Sequence, residues 1–328
     1  MKNKIQLSKK YEFDISIAGD TYAGVHAMPY VTAAVKSPDT IAKGYVRQLD
    51  GLTKSAVINT IASSSPIVPA GCDFSDGESL STSEQVLTLT DYKVNEEVCR
   101  GTVFPTWMGQ GMDRNGNLPN TFSDFLLQVV AGKTGEQIEN GIWRGKLDTA
   151  NNSTGFLSTT AVWSQAQLDL SACASFTQTA ISTISNTTAI AQLAKVYDDV
   201  VANVSGLLSK PGAGFYVNQK TYGMYAQQLA IAGSNQGINM LGTNQDLGTL
   251  SFMGYPVYVC PGIFDAAIVF TYPENLVYGT NLATDWTEAK LIPTYEYDGS
   301  DNIRIIMQFA LGVQTAMATD GVVGYKFG

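Results

Sequence analysis

The residues able to do chemistry are few and poorly grouped. His26 is the single histidine of the 328-residue chain, so a zinc site built on several histidines is excluded within one chain. In AGVHAMP it has no recognisable acid partner, and Ser63, Ser64 and Ser65 lack the GxSxG elbow that exposes a nucleophilic serine. Cys72, Cys99, Cys173 and Cys260 lie far apart without a CxxC, which leaves neither a zinc knuckle nor a redox motif. Free thiols in a reducing compartment are the expectation. DRNGN, Asp113 to Asn117, looks like a calcium loop, but Gly116 takes the fourth place instead of the sixth and the twelfth is Asp124 rather than Glu. GQG at Gly109 to Gly111 lacks the third glycine of a dinucleotide turn, and no Walker loop exists. What remains is carboxylate chemistry. Asp285, Glu288, Glu296, Asp298 and Asp301 could supply the two carboxylates of a glycosidase, although Asp298 to Asp301 reads first as a turn and the others as a solvated face. No catalytic residue, metal or cofactor is expected.

Composition points the same way. Lys and Arg number 20 against 29 Asp and Glu, a net charge of -9, which excludes a uniformly basic nucleic-acid surface. The local exception is MKNKIQLSKK, where Lys2, Lys4, Lys9 and Lys10 precede any hydrophobic periodicity; a solvated terminus is the favoured reading of them. Hydrophobic residues make up 45% and charged residues only 15%, against about 25% charged in an average globular chain. The core is ordinary and the surface is short of charge, which favours cover by partner subunits. No apolar run approaches the ~18 residues of a membrane span and no signal core follows the lysines. The chain therefore reads as intracellular and soluble. The Asn203 to Ser205 glycosylation match is then a chance one.

The elements that would position these residues follow from patterning. Residues 1 to about 53 alternate short apolar groups with Gly, Pro and Lys and read as an extended arm. Ala56 to Val68 and Val86 to Val98 read as two strands of one long hairpin, its polar, acidic tip running from Gly71 to Ser83. Phe122, Phe125, Leu126, Val129 and Val130 recur at helical spacing from a start signal at Thr121 and Asp124. Continued through Ile138, Ile142 and Trp143, that helix has roughly 23 residues and spans ~35 Å. Gly132, Gly135 and Gly141 weaken it, and a break near Gly132 to Gly135 is the alternative. Trp107 and Trp143 flank it and suit core packing. Ile190, Leu193, Tyr197, Val200, Val201, Val204 and Leu208 outline an amphipathic helix stopped at Lys210 to Gly212. The strand GFYVN, a helix from Gln219 to Ala232 capped by Asn218, and a strand pair Leu250 to Met253 with Tyr255 to Cys260 complete an α/β unit over residues 150–262. Beyond Phe264 the chain reads as antiparallel strands with a turn at Asp298 to Asp301.

This order of elements, closing with DNIRIIMQFALGVQTAMATDGVV and preceded by SFMGYPVYVCPGIFDAAIVFTY, resembles the major capsid proteins of tailed bacteriophages. Their fold is named after phage Hong Kong ninety-seven and is shared with encapsulin shells. The resemblance covers nearly the whole chain and implies an α+β fold: an N-terminal arm (1–53), an extended loop or β-hairpin (54–100), a peripheral domain with a long spine helix (101–150 and 263–328) and an α/β axial domain (151–262). It implies a structural, non-enzymatic protein that self-assembles as hexamers and pentamers into the icosahedral shell around a double-stranded DNA genome. Scaffold, portal and decoration proteins would be its partners, with weak non-specific contact to packaged DNA and no membrane. Its place would be the virion capsid, after assembly in the host bacterial cytoplasm. The inter-subunit contacts implied are those of the loop tip, Cys72, Asp73, Phe74, Asp76 and Glu78, and the spine helix is implied to carry Phe122, Phe125, Leu126, Val129 and Trp143. The tip from Gly71 to Ser83 has no lysine, so the founding phage's Lys-Asn cross-link is not carried over. No helical scaffold segment precedes the arm, so a scaffold would be a separate protein or a removed segment. The alternatives are an encapsulin-type compartment enclosing protein cargo and, in another class, a carboxylate-based hydrolase.

Overall fold

A computed structural model of the chain describes residues 21–23, 38–62, 70, 81–99, 120–144, 176–231, 250–265, 267–281, 288–294, 299–300, 302–317 and 319–325. In chain order the elements are β1 (Thr21–Ala23), α1 (Asp39–Ala42), β2 (Arg47–Leu49), β3 (Ser55–Ala62), β4 (Ser81–Thr88), β5 (Thr90–Cys99) and α2 (Asn120–Arg144). They continue with β6 (Thr177–Ala180), α3 (Ala189–Asn203), β7 (Gly214–Val217), α4 (Gln219–Ile231), β8 (Ser251–Phe252), β9 (Tyr255–Val259) and β10 (Ala267–Thr271). The last are β11 (Leu276–Thr280), β12 (Glu288–Pro293), β13 (Asn302–Thr315) and β14 (Val322–Tyr325). The composition is mixed, α+β, as the patterning predicts.

Three sheets form. The first runs β1-β12-β13-β11-β2, with β5 also on β13; the second runs β6-β14-β10-β7-β9-β8; the third is the β3-β4 ribbon alone. β13, 14 residues long, organises the first sheet by pairing with β5 through Asn302 to Leu311, with β12 through Ile303 to Gln308 and with β11 through Leu311 to Thr315. Ile303, Ile305, Met307, Phe309, Leu311 and Val313, alternate residues of this strand, share a core with Leu126, Leu127, Ile138, Ile142 and Trp143 of α2. In the second sheet the two faces part cleanly by the period of two. Phe215, Val217, Ile268 and Phe270 pack under α3 and α4, while Tyr216, Val269 and Val323 join the core of the first sheet and α2. That shared core couples the two sheets.

Three expectations are corrected. The strand expected from Val86 to Val98 is two strands that change partner at Leu89: β4 pairs with β3, from Ser55↔Thr88 to Ala62↔Ser81, whereas β5 pairs with β13. Not everything beyond residue 262 joins the first sheet, because β10 and β14 lie in the second, between β6 and β7. Ala267 to Thr271 of β10 and Val322 to Tyr325 of β14 are buried on both faces, which a sheet covered by helices on one side and core on the other requires. The amphipathic helix ends early: the chain leaves α geometry at Val204 and completes a 3-10 turn over Ser205–Ser209, and Val201 is exposed.

α2 is continuous over 25 residues with no break at its glycines. Each glycine costs about 1 kcal/mol relative to alanine, and burial of Ile138, Ile142 and Trp143 in its last turns offsets this at about 1.5–3 kcal/mol per large side chain. α4 starts where expected: the Lys220 amide donates to the Asn218 Oδ1 at 2.9 Å, the cap geometry that satisfies a first-turn N–H.

Candidate assembly surfaces

Two features could serve assembly. The first is the β3-β4 ribbon. Its eight paired residues extend about 27 Å at ~3.4 Å per residue. One face, with Ala56, Ile58 and Leu87, packs at the root against Val277 and Ala316. The other carries the directly opposed Val57 and Val86, 56% and 53% exposed. Three bonds fasten the root: the Leu89 amide donates to the Lys54 carbonyl at 2.8 Å, the Leu52 amide to the Thr280 carbonyl at 3.1 Å, and Gln314 Nε2 to Gln85 Oε1 at 2.8 Å. Further out, Thr60 and Ser83 hydroxyls bond to each other at 2.5 Å. An isolated two-stranded ribbon is marginal in water, and an apolar cross-strand pair on its open face is a contact surface in waiting.

The second feature is the joint that holds α2. Glu139 is 5% exposed and its carboxylate accepts three bonds: from the Thr40 amide at 3.1 Å, the Thr40 hydroxyl at 2.5 Å and the Gly262 amide at 3.3 Å. Trp143 Nε1 donates to the Thr40 Oγ1 at 2.9 Å. One turn of the sequence at Gly262 approaches α2 so closely that a Cβ there would stand 2.3 Å from the Glu139 carbonyl oxygen and 2.8 Å from Trp143 Cδ1. Arg144 closes the joint by donating to the Gly262 and Ile263 carbonyls at 2.7 and 3.1 Å, its guanidinium 4.9 Å from the Phe264 ring centre. Thus α1, α2 and the turn after β9 meet at one buried polar cluster.

The electrostatics of this cluster argue for structure. Burial raises the Glu139 carboxyl above the ordinary carboxylate range against the opposing effect of its three hydrogen bonds. Burial also pushes the neighbouring Cys260 thiol far up, so no thiolate forms to act as a nucleophile. Burial lowers the Arg144 guanidinium below its usual value. The three bonds accepted by Glu139 and the one donated by Trp143 give this cluster the geometry of a joint between α1, α2 and the turn after β9. Among the described residues no group of three or more His, Cys, Asp and Glu could hold a metal ion, and no helix is long and apolar enough to cross a membrane.

The residues expected at subunit contacts, Cys72, Asp73, Phe74, Asp76 and Glu78, lie outside the described residues, as do His26, Ser63 to Ser65, Asp113 to Asn117 and the lysines of the first ten residues. Phe122 and Phe125 fall in α2, with side chains outside the description. Leu126 and Trp143 are buried in the main core, whereas Val129, expected on the same face, is 47% exposed. The buried stripe runs through Leu127, Ala131, Thr134, Ile138 and Ile142, and position 129 lies about 200° from position 127 at ~100° per residue. Leu126 and Trp143 therefore anchor the helix in the core. Of the acidic group, the backbone of Glu288 opens β12 and Asp285, Glu296, Asp298 and Asp301 lie outside the description. Thr40, Glu139 and Gly262 were not expected; the only signal was Glu139 on the Gly135, Ile138, Ile142 side of the helix.

Solved structures match this geometry. A Mycobacterium phage Ogopogo chain is similar at TM-score 0.55 and 12% identity, over 88% of this chain and 92% of that one. A chain of the capsid of Myoviridae phage XM1 is similar at TM-score 0.54 and 13% identity, over 88% and 91%. A chain of the satellite phage P4 procapsid, determined with the size-determination protein Sid, is similar at TM-score 0.54 and 11% identity, over 91% and 98%. The chain has a phage-capsid fold. No family model and no curated protein sequence matches it.

Proposed function

We propose that this chain is the structural major capsid protein of a tailed bacteriophage, self-assembling into the icosahedral shell that encloses the double-stranded DNA genome. The observation that carries the reading is the likeness to a capsid chain over 88% of this chain and 91% of that one, too complete for a shared domain inside an otherwise different protein. The ribbon with Val57 and Val86 exposed supports it, because its open face needs cover from another copy. In this reading residues 1–53 are the arm, 54–100 the extended loop, 101–150 and 263–328 the peripheral domain with α2 as spine, and 151–262 the axial domain, with β10 and β14 of the 263–328 stretch paired to its strands. The loop tip from Cys72 to Glu78 reaches the neighbouring subunit.

The subunit's partners are itself, in hexamers and pentamers, together with scaffold, portal and decoration proteins; packaged DNA touches the inner wall weakly through residues such as Lys2, Lys4, Lys9 and Lys10. Shells form in the host bacterial cytoplasm and end as the virion capsid. The protein has no enzymatic role. An encapsulin-type shell and a hydrolase are disfavoured by the phage origin of the matching structures. The test is electron microscopy with compositional analysis of purified particles. DNA-filled shells, or empty shells that fill with DNA when the packaging machinery is present, are expected. Shells loaded with a cargo protein would overturn the reading in favour of the encapsulin type.

A further inference from the structure

β4 ends at Thr88 and β5 begins at Thr90, so the chain passes from the free ribbon into the first sheet through Leu89 alone. That crossing lies on the face of the β11-β13 ladder, over Gly279 and Gly312, which are directly opposed in register. A Cβ on Gly312 would stand 2.3 Å from the Thr88 carbonyl oxygen, 3.1 Å from its carbon and 3.4 Å from Leu89 Cα. A Cβ on Gly279 would stand 2.5 Å from Leu87 Cδ2, 3.0 Å from Leu52 Cδ1 and 3.2 Å from Leu89 Cδ2. Neither glycine is among the positive-φ residues. Their contribution is therefore the absent side chain and not an unusual backbone. A glycine inside a strand weakens it, and it marks a close approach of another backbone. Two opposed glycines in one ladder double that cost at the point where the ribbon rests. Gln85, Leu87 and Leu89 face the ladder on alternate positions: Leu87 is fully buried, and Gln85 bonds to Gln314 of β13.

We infer that the opposed pair Gly279 and Gly312 is a seat that fixes the direction in which the β3-β4 ribbon projects, making both glycines positioning residues for assembly. The link to assembly rests on the proposed contact of the ribbon with a neighbouring subunit; the seat itself does not. A carbon needs ~3.3 Å from a carbonyl oxygen, so an alanine at Gly312 lifts Thr88 by about 1 Å. Pivoted two residues away, at ~7 Å, that lift swings the far end of a ~27 Å ribbon by about 4 Å. Such a displacement exceeds what a close-packed contact tolerates.

The experiment measures direction and assembly separately. Nitroxides on ketone side chains introduced genetically at Asn59 of β3 and Lys93 of β5, both exposed, report the ribbon-to-sheet distance in unassembled full-length subunits by pulsed electron resonance. Gly312→Ala is expected to shift or broaden the distance distribution by a few ångströms while the sheet stays folded by circular dichroism, and to reduce particle yield by tenfold or more. Gly279→Ala, which meets only side-chain ends, gives a smaller shift that Leu87→Val restores by removing the clashing Cδ2. An unchanged distribution in Gly312→Ala overturns the seat, whatever assembly does. A shifted distribution with normal particles upholds the seat and refutes the ribbon's role at the neighbouring subunit. If Gly312→Ala fails to fold, Gly279→Ala decides: no shift overturns the seat, and a shift reversed by Leu87→Val upholds it.

Discussion

Replacing Glu139 tests the joint that holds α2. In Glu139→Ala the backbone amides of Thr40 and Gly262 lose their acceptor at a site where Glu139 itself is 5% exposed. An unsatisfied buried donor costs roughly 1–3 kcal/mol, so two cost about 2–6 kcal/mol. Removing a carboxyl that burial already penalises returns part of this, leaving a net loss of about 2–4 kcal/mol. Glu139→Gln keeps an acceptor and the volume, and loses about 1 kcal/mol or less at neutral pH. The pH dependence separates the two further. Because the folded carboxyl binds its proton more tightly than the unfolded one, the folded state holds more protons above the ordinary glutamate range, and stability falls there as pH rises. The stability contributed by protonated Glu139 is complete below that range and lost through the folded value. Wild type should therefore lose stability relative to Glu139→Gln on going from about pH 4 to about pH 8. Asp39 adds to the upward shift, so the effect includes its charge. Urea unfolding of unassembled subunits at the two pH values reads both quantities. A loss below 1 kcal/mol in Glu139→Ala, or a wild-type pH slope retained in Glu139→Gln, would refute the reasoning.

Three further outcomes are expected. Met253, exposed in the β8-β9 turn, holds φ at 50°, so Met253→Gly should stabilise the subunit by about 1 kcal/mol, and a destabilisation in thermal melts would contradict the strain. Deleting Asp73 to Thr82 should leave subunit folding intact and abolish stable particles; normal particles of normal heat resistance would sink the loop's proposed contact. Duplex DNA should bind capsomers weakly, with a logarithmic salt slope no greater than about 3–4 from the four lysines among the first ten residues, and tight or sequence-selective binding at high salt would reveal a recognition surface elsewhere.

Patterning made the helices and most strands legible, because one face of each meets the core at its own period. Ile138, Ile142 and Trp143 announced the last turns of α2, and the β-rich patterning beyond Phe264 announced strands there. The change of partner at Leu89 was not legible. Buried Leu87 and Leu89 stand at odd positions and half-buried Tyr92 and Val94 at even ones. The in-out alternation therefore shifts phase across Thr90 and Asp91, which marks a discontinuity in the strand and says nothing about which strand lies alongside on either side of it. The placement of β10 and β14 in the second sheet was hidden for the same reason: pairing between distant strands is a property of the whole chain. Glu139 was hidden by its type, since a carboxylate on a long helix reads as solvated until the turn at Gly262 and the helix start at Thr40 are seen to close over it.

The most direct test of the central claim is to express the full-length chain with scaffold and portal partners and reconstruct the product by cryo-electron microscopy. Closed icosahedral shells of pentamers and hexamers, with the β3-β4 ribbon laid across an adjacent subunit and Val57 and Val86 covered there, are the predicted result. A chain that stays monomeric by light scattering under those conditions, or shells in which both valines face solvent, would contradict it.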